Sequence, residues 1–124
     1  MKSGNIVKDK SFTFAIRVVR LYKLLCEERR EYVLSKQMLR SGTAIGALVR
    51  ESEHAQSTAD FISKLSIALK EANETEYWLM LLHEAEYLTK EEYDAILKDC
   101  KELLRLLISI IKKTKENNGK FNKQ

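Results

Sequence analysis

The residues of this 124-residue chain best suited to chemistry are basic side chains in its first half, where residue type and spacing favour phosphate binding. Arg17, Arg20 and Lys23 recur every three residues, which places them along one side of a helix. Guanidinium and ammonium groups neutralise phosphates, so this pattern predicts a nucleic-acid-binding face. Five more residues could extend that face: Arg29, Arg30, Lys36, Arg40 and Arg50. The alternative is a solvated helix face whose cations pair with the acidic third helix.

The distribution of charge along the chain fits both interpretations. Residues 1–50 hold eleven Lys or Arg and four Asp or Glu, whereas residues 51–111 hold six and thirteen. Residues 112–124 are basic again, with five Lys and one Glu, and the net charge is +4. Such segregation indicates either charge pairing between helices or a basic surface for an anionic partner. No RNA-stacking motif accompanies the basic face, and we expect Tyr22, Tyr32 and Tyr77 in the core or at interfaces.

A second group of polar residues falls on or beside the packing faces of the second and third helices. Its members are Gln37, Arg40, Ser41, Glu51, Glu71 and Glu74. They could form a binding site. The structural interpretation is a polar network in which Arg40 pairs with Glu74 or Glu71 and fixes the register or the oligomeric state.

No pattern of catalytic or metal-binding residues stands out. His54 and His83 are solitary, and no Glu-x-x-His pair is repeated on two helices as a di-iron bundle requires. The chain also lacks a Ser-His-Asp pattern, a glycine-rich phosphate loop and paired cysteines. We therefore expect no enzyme activity, no metal and no cofactor.

Composition and cysteine usage indicate a cytoplasmic protein. Cys26 and Cys100 lie at apolar helical positions and are expected to be reduced core thiols. The first ten residues lack the apolar core of a signal peptide. No apolar run approaches the ~20 residues that span a bilayer, so no membrane association is expected.

These candidate residues are carried by helices, because the chain has no proline, only four glycines and strong helical periodicity. Four helices are predicted: 11–28, 35–53, 57–87 and one that begins at Thr89 and ends near 116. Short connections make neighbouring helices antiparallel, so the predicted fold is an all-α, up-down-up-down four-helix bundle over residues 11–116. Residues 1–10 are expected to form a flexible N-terminus and residues 117–124 a flexible basic tail.

The periodicity also predicts which side chains face the core. In helix one the predicted apolar stripe is Phe12, Ala15, Ile16, Val19, Tyr22, Leu25 and Cys26. In helix three a heptad seam is predicted: Phe61, Leu65, Ala68, Ala72, Thr75, Leu79 and Leu82. Helix two carries Gly42 and Gly46, each costing about 1 kcal/mol relative to alanine. That cost predicts close approach of another helix.

Capping residues mark three of the helix starts. Ser35 is the predicted N-cap of helix two. Ser57 with Asp60, and Thr89 with Glu92, are predicted to form capping boxes at the starts of helices three and four.

The ordered pattern of these helices resembles a bacterial family, the four-helix bundle proteins encoded within the 23S rRNA intervening sequence. The second helix carries Gln37-x-x-Arg40-Ser41, then Ile45 and Glu51. On the first helix the matching residues are Phe14, Ala15, Val19 and Tyr22. The third helix adds Ser57, Asp60-Phe61, Lys64-Leu65, Ile67-Ala68 and the run Glu71-Ala-Asn-Glu74-Thr-Glu-Tyr-Trp-Leu79. The resemblance runs from about Phe12 to Ile111.

The resemblance implies a ring-like homo-oligomer, a pentamer in the better-known relatives, and no catalysis. The accessory proteins of diversity-generating retroelements resemble the same family. Their similarity implies a basic surface that engages nucleic acid and a reverse transcriptase. This chain departs from the family pattern at Gly42, Ala44, Gly46 and Ser52.

Overall fold

The computed structural model describes residues 6–122, with side chains through Gly119. It contains four helices: α1 (Ile6–Glu27), α2 (Leu34–Ser52), α3 (Thr58–Glu84) and α4 (Lys90–Asn122). Each helix packs against the next helix in the chain. The last helix, α4, also packs against α1, and this is the smallest of the four helix–helix contacts. The predicted all-α four-helix bundle is confirmed. None of these helices, within residues 6–122, is long and apolar enough to cross a bilayer.

The first and last helices, α1 and α4, are longer than the sequence pattern predicted. Residues 6–10, expected to be flexible, form the first turn of α1, because Val7 is buried against the core and anchors that turn. Residues 117–122, expected in a flexible tail, continue α4, since extending an existing helix adds a hydrogen bond for each residue fixed. The expected flexibility of residues 1–5 and 123–124 lies outside the described residues.

The core-facing side of α1 differs from the prediction. Phe12, Ile16 and Val19 are 56%, 36% and 40% exposed, so much of the predicted stripe faces outward. The buried face instead comprises Val7, Ser11, Phe14, Val18 and Leu25. The predicted seam of α3 is largely correct, since its six positions from Leu65 to Leu82 are all buried.

The two glycines of α2 explain the orientation of α1. A Cβ atom at Gly42 would lie 2.9 Å from both methyl carbons of Val18, and one at Gly46 would lie 3.3 Å from the carbonyl oxygen of Ser11. The predicted close approach of a second helix is therefore confirmed, and that helix is α1. Turning Val18 toward Gly42 directs the residues on the opposite side of α1, Phe12 among them, to the surface.

The helix caps confirm one prediction fully, confirm a second in part and correct a third. Ser57 Oγ accepts a hydrogen bond from the Asp60 amide at 3.0 Å, as expected of an N-cap. The Asp60 carboxylate accepts a hydrogen bond from the Gln56 amide at 3.2 Å in place of the Ser57 amide, so this capping box is only half formed. Thr89 and Glu92 form the reciprocal pair of a capping box, at 2.9 and 3.2 Å. The prediction that Ser35 caps α2 is wrong. Ser35 lies inside the first turn, and the buried carboxylate of Glu31 accepts its amide hydrogen bond at 2.6 Å.

Glu31 replaces the side-chain cap that α2 otherwise lacks. Its two carboxylate oxygens accept hydrogen bonds from the amides of Val33, Leu34 and Ser35 at 2.6–3.2 Å. Burial alone would raise the pKa of this carboxyl, but the amides together hold its pKa below the ordinary value of 4.5. A carboxylate at this position also suits the positive end of the helix dipole.

Candidate nucleic-acid interface

Three of the eight cations expected to bind nucleic acid form ion pairs within the bundle: Arg17 and Arg29 pair with α4, and Arg40 pairs with α3. Arg17 of α1 pairs with Asp99 of α4. Arg29, which follows α1, donates two hydrogen bonds to the Glu92 carboxylate, at 2.6 and 2.8 Å. A third hydrogen bond of 2.8 Å joins Arg29 to the carbonyl oxygen of Tyr87. Arg17 therefore connects α1 to α4, the two helices that share the smallest contact, and Arg29 connects the segment after α1 to α4.

The Arg29–Glu92 pair is a strong local interaction. The hydrogen bond with Arg29 lowers the pKa of Glu92 to about 2, and the same contact raises the pKa of Arg29. A bidentate guanidinium–carboxylate pair holds both side chains in one geometry. Arg29 is thus committed to holding α4 against the α1–α2 connection and is not available for phosphate.

The other five predicted cations have no acidic partner within 4.0 Å in the part of the chain that the structure describes. They are Arg20, Lys23, Arg30, Lys36 and Arg50, and all five are exposed. Arg20 and Lys23 project from α1, Arg30 lies in the connection to α2, and the other two lie on α2. We define these five residues as the free cation set.

Three members of the free cation set adjoin the outward apolar residues of α1. Arg20 and Lys23 line a shallow depression of about 390 Å³ together with Phe12, Ile16 and Val19. Arg50 lines a second depression of about 240 Å³ between α1 and α2, which also includes Phe12. Phe12 therefore lies between cations on both sides. We name the two depressions together the α1–α2 surface.

The sequence predicted the cations of the α1–α2 surface but not its apolar residues. Phe12, Ile16 and Val19 were expected in the core, because their spacing is that of a core stripe. The signal that could have redirected them is Gly42, which needs a side chain of α1 in close contact. Only the three-dimensional packing identifies that side chain as Val18.

The predicted polar network is only partly assembled by the structure. Arg40 pairs with Glu71 at 3.3 Å and also with Glu74, as expected, and Glu74 accepts a hydrogen bond from the indole of Trp78 at 3.2 Å. The hydrogen bond with Glu71 raises the pKa of Arg40. These ion pairs lie at the surface, since the Arg40 side chain is exposed.

The buried part of that network is a pair of hydroxyls. Thr75 donates a hydrogen bond of 2.8 Å to Ser41 across the α2–α3 interface. Gln37 is exposed, and Glu51 is exposed with Lys64 3.8 Å away. The network therefore links α2 to α3 and does not enclose a pocket.

Histidines and cysteines lie apart from this surface. His83 stacks on Tyr93 with ring centroids 4.3 Å apart, and His54 is exposed after α2. Within residues 6–122 no group of three His, Cys, Asp or Glu side chains is placed to hold a metal ion. Cys26 and Cys100 are free thiols, and burial raises the pKa of Cys100 to about 12.

The sequence as a whole matches the model of the 23S rRNA-intervening sequence protein family over residues 4–109. The chain belongs to this family. A solved relative is a protein of unknown function from the S23 ribosomal protein family of Bacteroides thetaiotaomicron, which is 64% identical in sequence. The match covers 86% of this chain and 99% of the relative, with a TM-score of 0.86. No curated protein matches the chain significantly.

Membership of the 23S rRNA-intervening sequence protein family agrees with the helical pattern that the sequence displayed. The matched region begins before Ile6 and ends at Ser109, so it includes α1, α2, α3 and more than half of α4. The α1–α2 surface therefore lies entirely within the part of the chain that the family model describes.

Proposed function

We propose that this chain is a non-enzymatic, self-associating helical bundle of the cytoplasm that binds nucleic acid through the free cation set. The nucleic acid is either free or held by a nucleoprotein partner such as a reverse transcriptase. The observation that carries the proposal is the separation of the cations into two groups. Arg17 and Arg29 pair with α4, whereas the five exposed cations on α1, α2 and their connection have no acidic partner among the described residues.

Unpaired cations on one side of a protein bind polyanions by releasing counterions from phosphate. If all five contact phosphates, the logarithm of the affinity falls with the logarithm of salt at a slope of about −4.5 on duplex DNA. Fewer contacts give a proportionally smaller slope. Fluorescence anisotropy with labelled duplex DNA, an RNA hairpin and a single strand, each over a salt series, measures this slope directly.

A double variant tests which cations make the contacts. Changing Arg20 and Lys23 to Gln should weaken binding at low salt and reduce the duplex slope by about 1.8, the value for two lost phosphate contacts. The matched control changes Lys98 and Arg105 of α4 to Gln. These two are also exposed cations without an acidic group within 4.0 Å in the described structure, so net charge changes equally. Equal losses in both variants, or no binding at low salt, would refute the proposal.

Self-association is supported by a different surface, on α3. Tyr77 and Met80 are 56% and 48% exposed and lie one turn apart. Tyr and Met are enriched in protein interfaces. The next exposed charged residue along this face of α3 is Glu84, which is acidic and does not attract phosphate. We propose that this α3 patch is one side of the contact that joins copies of the chain, since a closed ring pairs two different surfaces of neighbouring copies.

Light scattering after size exclusion tests the α3 patch. The wild-type protein should have a mass well above the 14.4 kDa of one chain, with a pentamer expected from the family resemblance. Met80→Glu places a charge in the contact and should release smaller species. Val33→Glu, at a more exposed apolar position beside α2, is the matched control and should leave the mass unchanged. A monomeric wild-type protein would exclude self-association.

The α3 patch also favours a second candidate, a protein-interaction scaffold without a nucleic-acid role. In that case the wild-type mass is large and no nucleic acid binds at any salt concentration. The two measurements together distinguish the candidates.

A further inference from the structure

We propose that the α1–α2 surface binds single-stranded nucleic acid, with Phe12 as a platform on which a base stacks. This inference rests on the proposed function and specifies the class of nucleic acid. Phe12 is 56% exposed and contributes to both depressions of that surface. It is therefore an aromatic ring flanked by Arg50 on one side and by Arg20 and Lys23 on the other.

The helical geometry of α1 makes this surface a narrow track. At 100° for each residue, Phe12, Ile16, Val19 and Lys23 lie within roughly 60° of one another around the helix axis. From Phe12 to Lys23 the axial rise is about 16 Å. At an axial rise of ~3.4 Å for each nucleotide of a stacked strand, that length corresponds to about five nucleotides. Ile16 and Val19 supply an apolar floor between the ring and the cations.

The apolar residues of the track distinguish a single strand from a duplex. A duplex buries the faces of its bases and presents phosphates, which cations alone can bind. An unpaired strand exposes base faces that stack on aromatic side chains while Lys and Arg follow its backbone. An exposed phenylalanine between cations fits the second case. The α3 patch, which has exposed Tyr77 and Met80 but no member of the free cation set, lacks that combination.

The test compares affinities of the full-length protein for a labelled 12-nucleotide oligouridylate and for the same strand paired with oligoadenylate. The wild-type protein should prefer the single strand. Phe12→Ala should weaken its binding to the single strand between about fivefold and a hundredfold, the loss expected for one base-stacking aromatic. Binding to the duplex should remain unchanged.

The matched control is Ile108→Ala on α4. Ile108 is 53% exposed and has Arg105 and Lys112 one turn away on either side, so it combines an apolar side chain and cations without an aromatic ring. Its substitution should leave single-strand affinity unchanged. A strand of abasic sites with the same length supplies phosphates without bases. It should bind wild-type and Phe12→Ala proteins equally, and more weakly than oligouridylate binds the wild-type protein.

Three results would overturn the inference. The first is equal or tighter binding of the duplex, and the second is an unchanged single-strand affinity in Phe12→Ala. Either of these leaves the proposed function intact, provided that binding still weakens with salt. The third is a fall in oligomeric mass in Phe12→Ala without a change in affinity, which would assign the surface to a second copy of the chain. Absence of any salt-dependent binding would refute the proposed function as well.

Discussion

The substitution Gly42→Ala should destabilise the protein, although alanine is the better helix former. A Cβ atom at this position would lie 2.9 Å from both methyl carbons of Val18 and 3.3 Å from its Cβ. Val18 is fully buried, and rotation about its χ1 cannot remove both methyl groups from the contact. The two helix backbones must therefore separate to admit one methyl group.

Two opposing free energies decide the result. Replacing glycine by alanine inside a helix contributes about 1 kcal/mol of stability. Inserting a methyl group into a packed core costs about 1–3 kcal/mol. The expected net effect of Gly42→Ala is a loss of up to about 2 kcal/mol in the free energy of unfolding.

The effect of Gly42→Ala on stability should change from a loss to a gain once the two methyl groups of Val18 are removed. In a Val18→Ala background both contacts at 2.9 Å are gone and only the contact with the Cβ of residue 18 at 3.3 Å remains, which a shift of a few tenths of an ångström relieves. Adding Gly42→Ala should then raise stability by up to about 1 kcal/mol through helix propensity. Urea unfolding of the four proteins of this double-mutant cycle, at one fixed protein concentration, measures the coupling. If Gly42→Ala stabilised both backgrounds equally, the close contact between α1 and α2 would be refuted.

Four further predictions follow from the same contacts. Gly46→Leu should lower the melting temperature, because its side chain meets a backbone carbonyl at 3.3 Å; an unchanged melting curve would contradict this. Glu31→Ala should cost about 1–2 kcal/mol of unfolding free energy in urea, as the start of α2 loses its cap. The pKa of Glu92 is lowered to about 2 in the folded protein. Its contribution to the free energy of unfolding is therefore complete above pH 4.5 and is lost as the pH falls toward 2. Stability measured over that range should depend less on pH in Glu92→Gln. With a thiol reagent at pH 8, Cys26 should react in the native protein and Cys100 only after unfolding, since Cys100 is buried with a pKa of about 12.

The fold could be predicted from the sequence where the determining interactions are local. The caps at Ser57 and Thr89 involve residues three positions apart, and the structure contains the Ser57 N-cap and the complete capping box at Thr89. The seam of α3 also lies within one helix. By contrast, the cap on α2 comes from Glu31, which a charged run after α1 gave no reason to place in a buried position.

The candidate site could be predicted only by residue type. The free cations and the paired cations look alike in the sequence, because pairing depends on which helices become neighbours. Arg17 and Asp99 are 82 positions apart. From the sequence alone, Arg17 and Arg20 are equally good candidates for phosphate binding. Only the packing of α4 against α1 shows that Arg17 is paired with an acidic residue and that Arg20, among the described residues, is not.

The two faces of α1 show why its orientation is not determined by periodicity. Val7, Ser11, Phe14 and Val18 follow a heptad-like spacing, and Phe12, Ile16 and Val19 follow one on the nearly opposite side of the helix. Each stripe holds three apolar residues and the first also includes a serine, so the number of apolar residues does not decide which side is buried. Packing against Gly42 selects the first stripe, because only a side chain there fills the space above the glycine.

A helix that is apolar on two opposite sides exposes one of them to solvent unless a partner covers it. The exposed side of α1 is bordered by Arg20, Lys23 and Arg50, and cations at the edge of an apolar surface attract an anionic partner. An anionic partner with apolar faces satisfies both features, and an unpaired nucleic-acid strand has that chemistry. The glycine contact that orients α1 is therefore also the reason why Phe12 reaches the surface among cations. It follows that Gly42→Ala, which disturbs this contact, should also weaken single-strand binding, whereas duplex binding through the cations should change less.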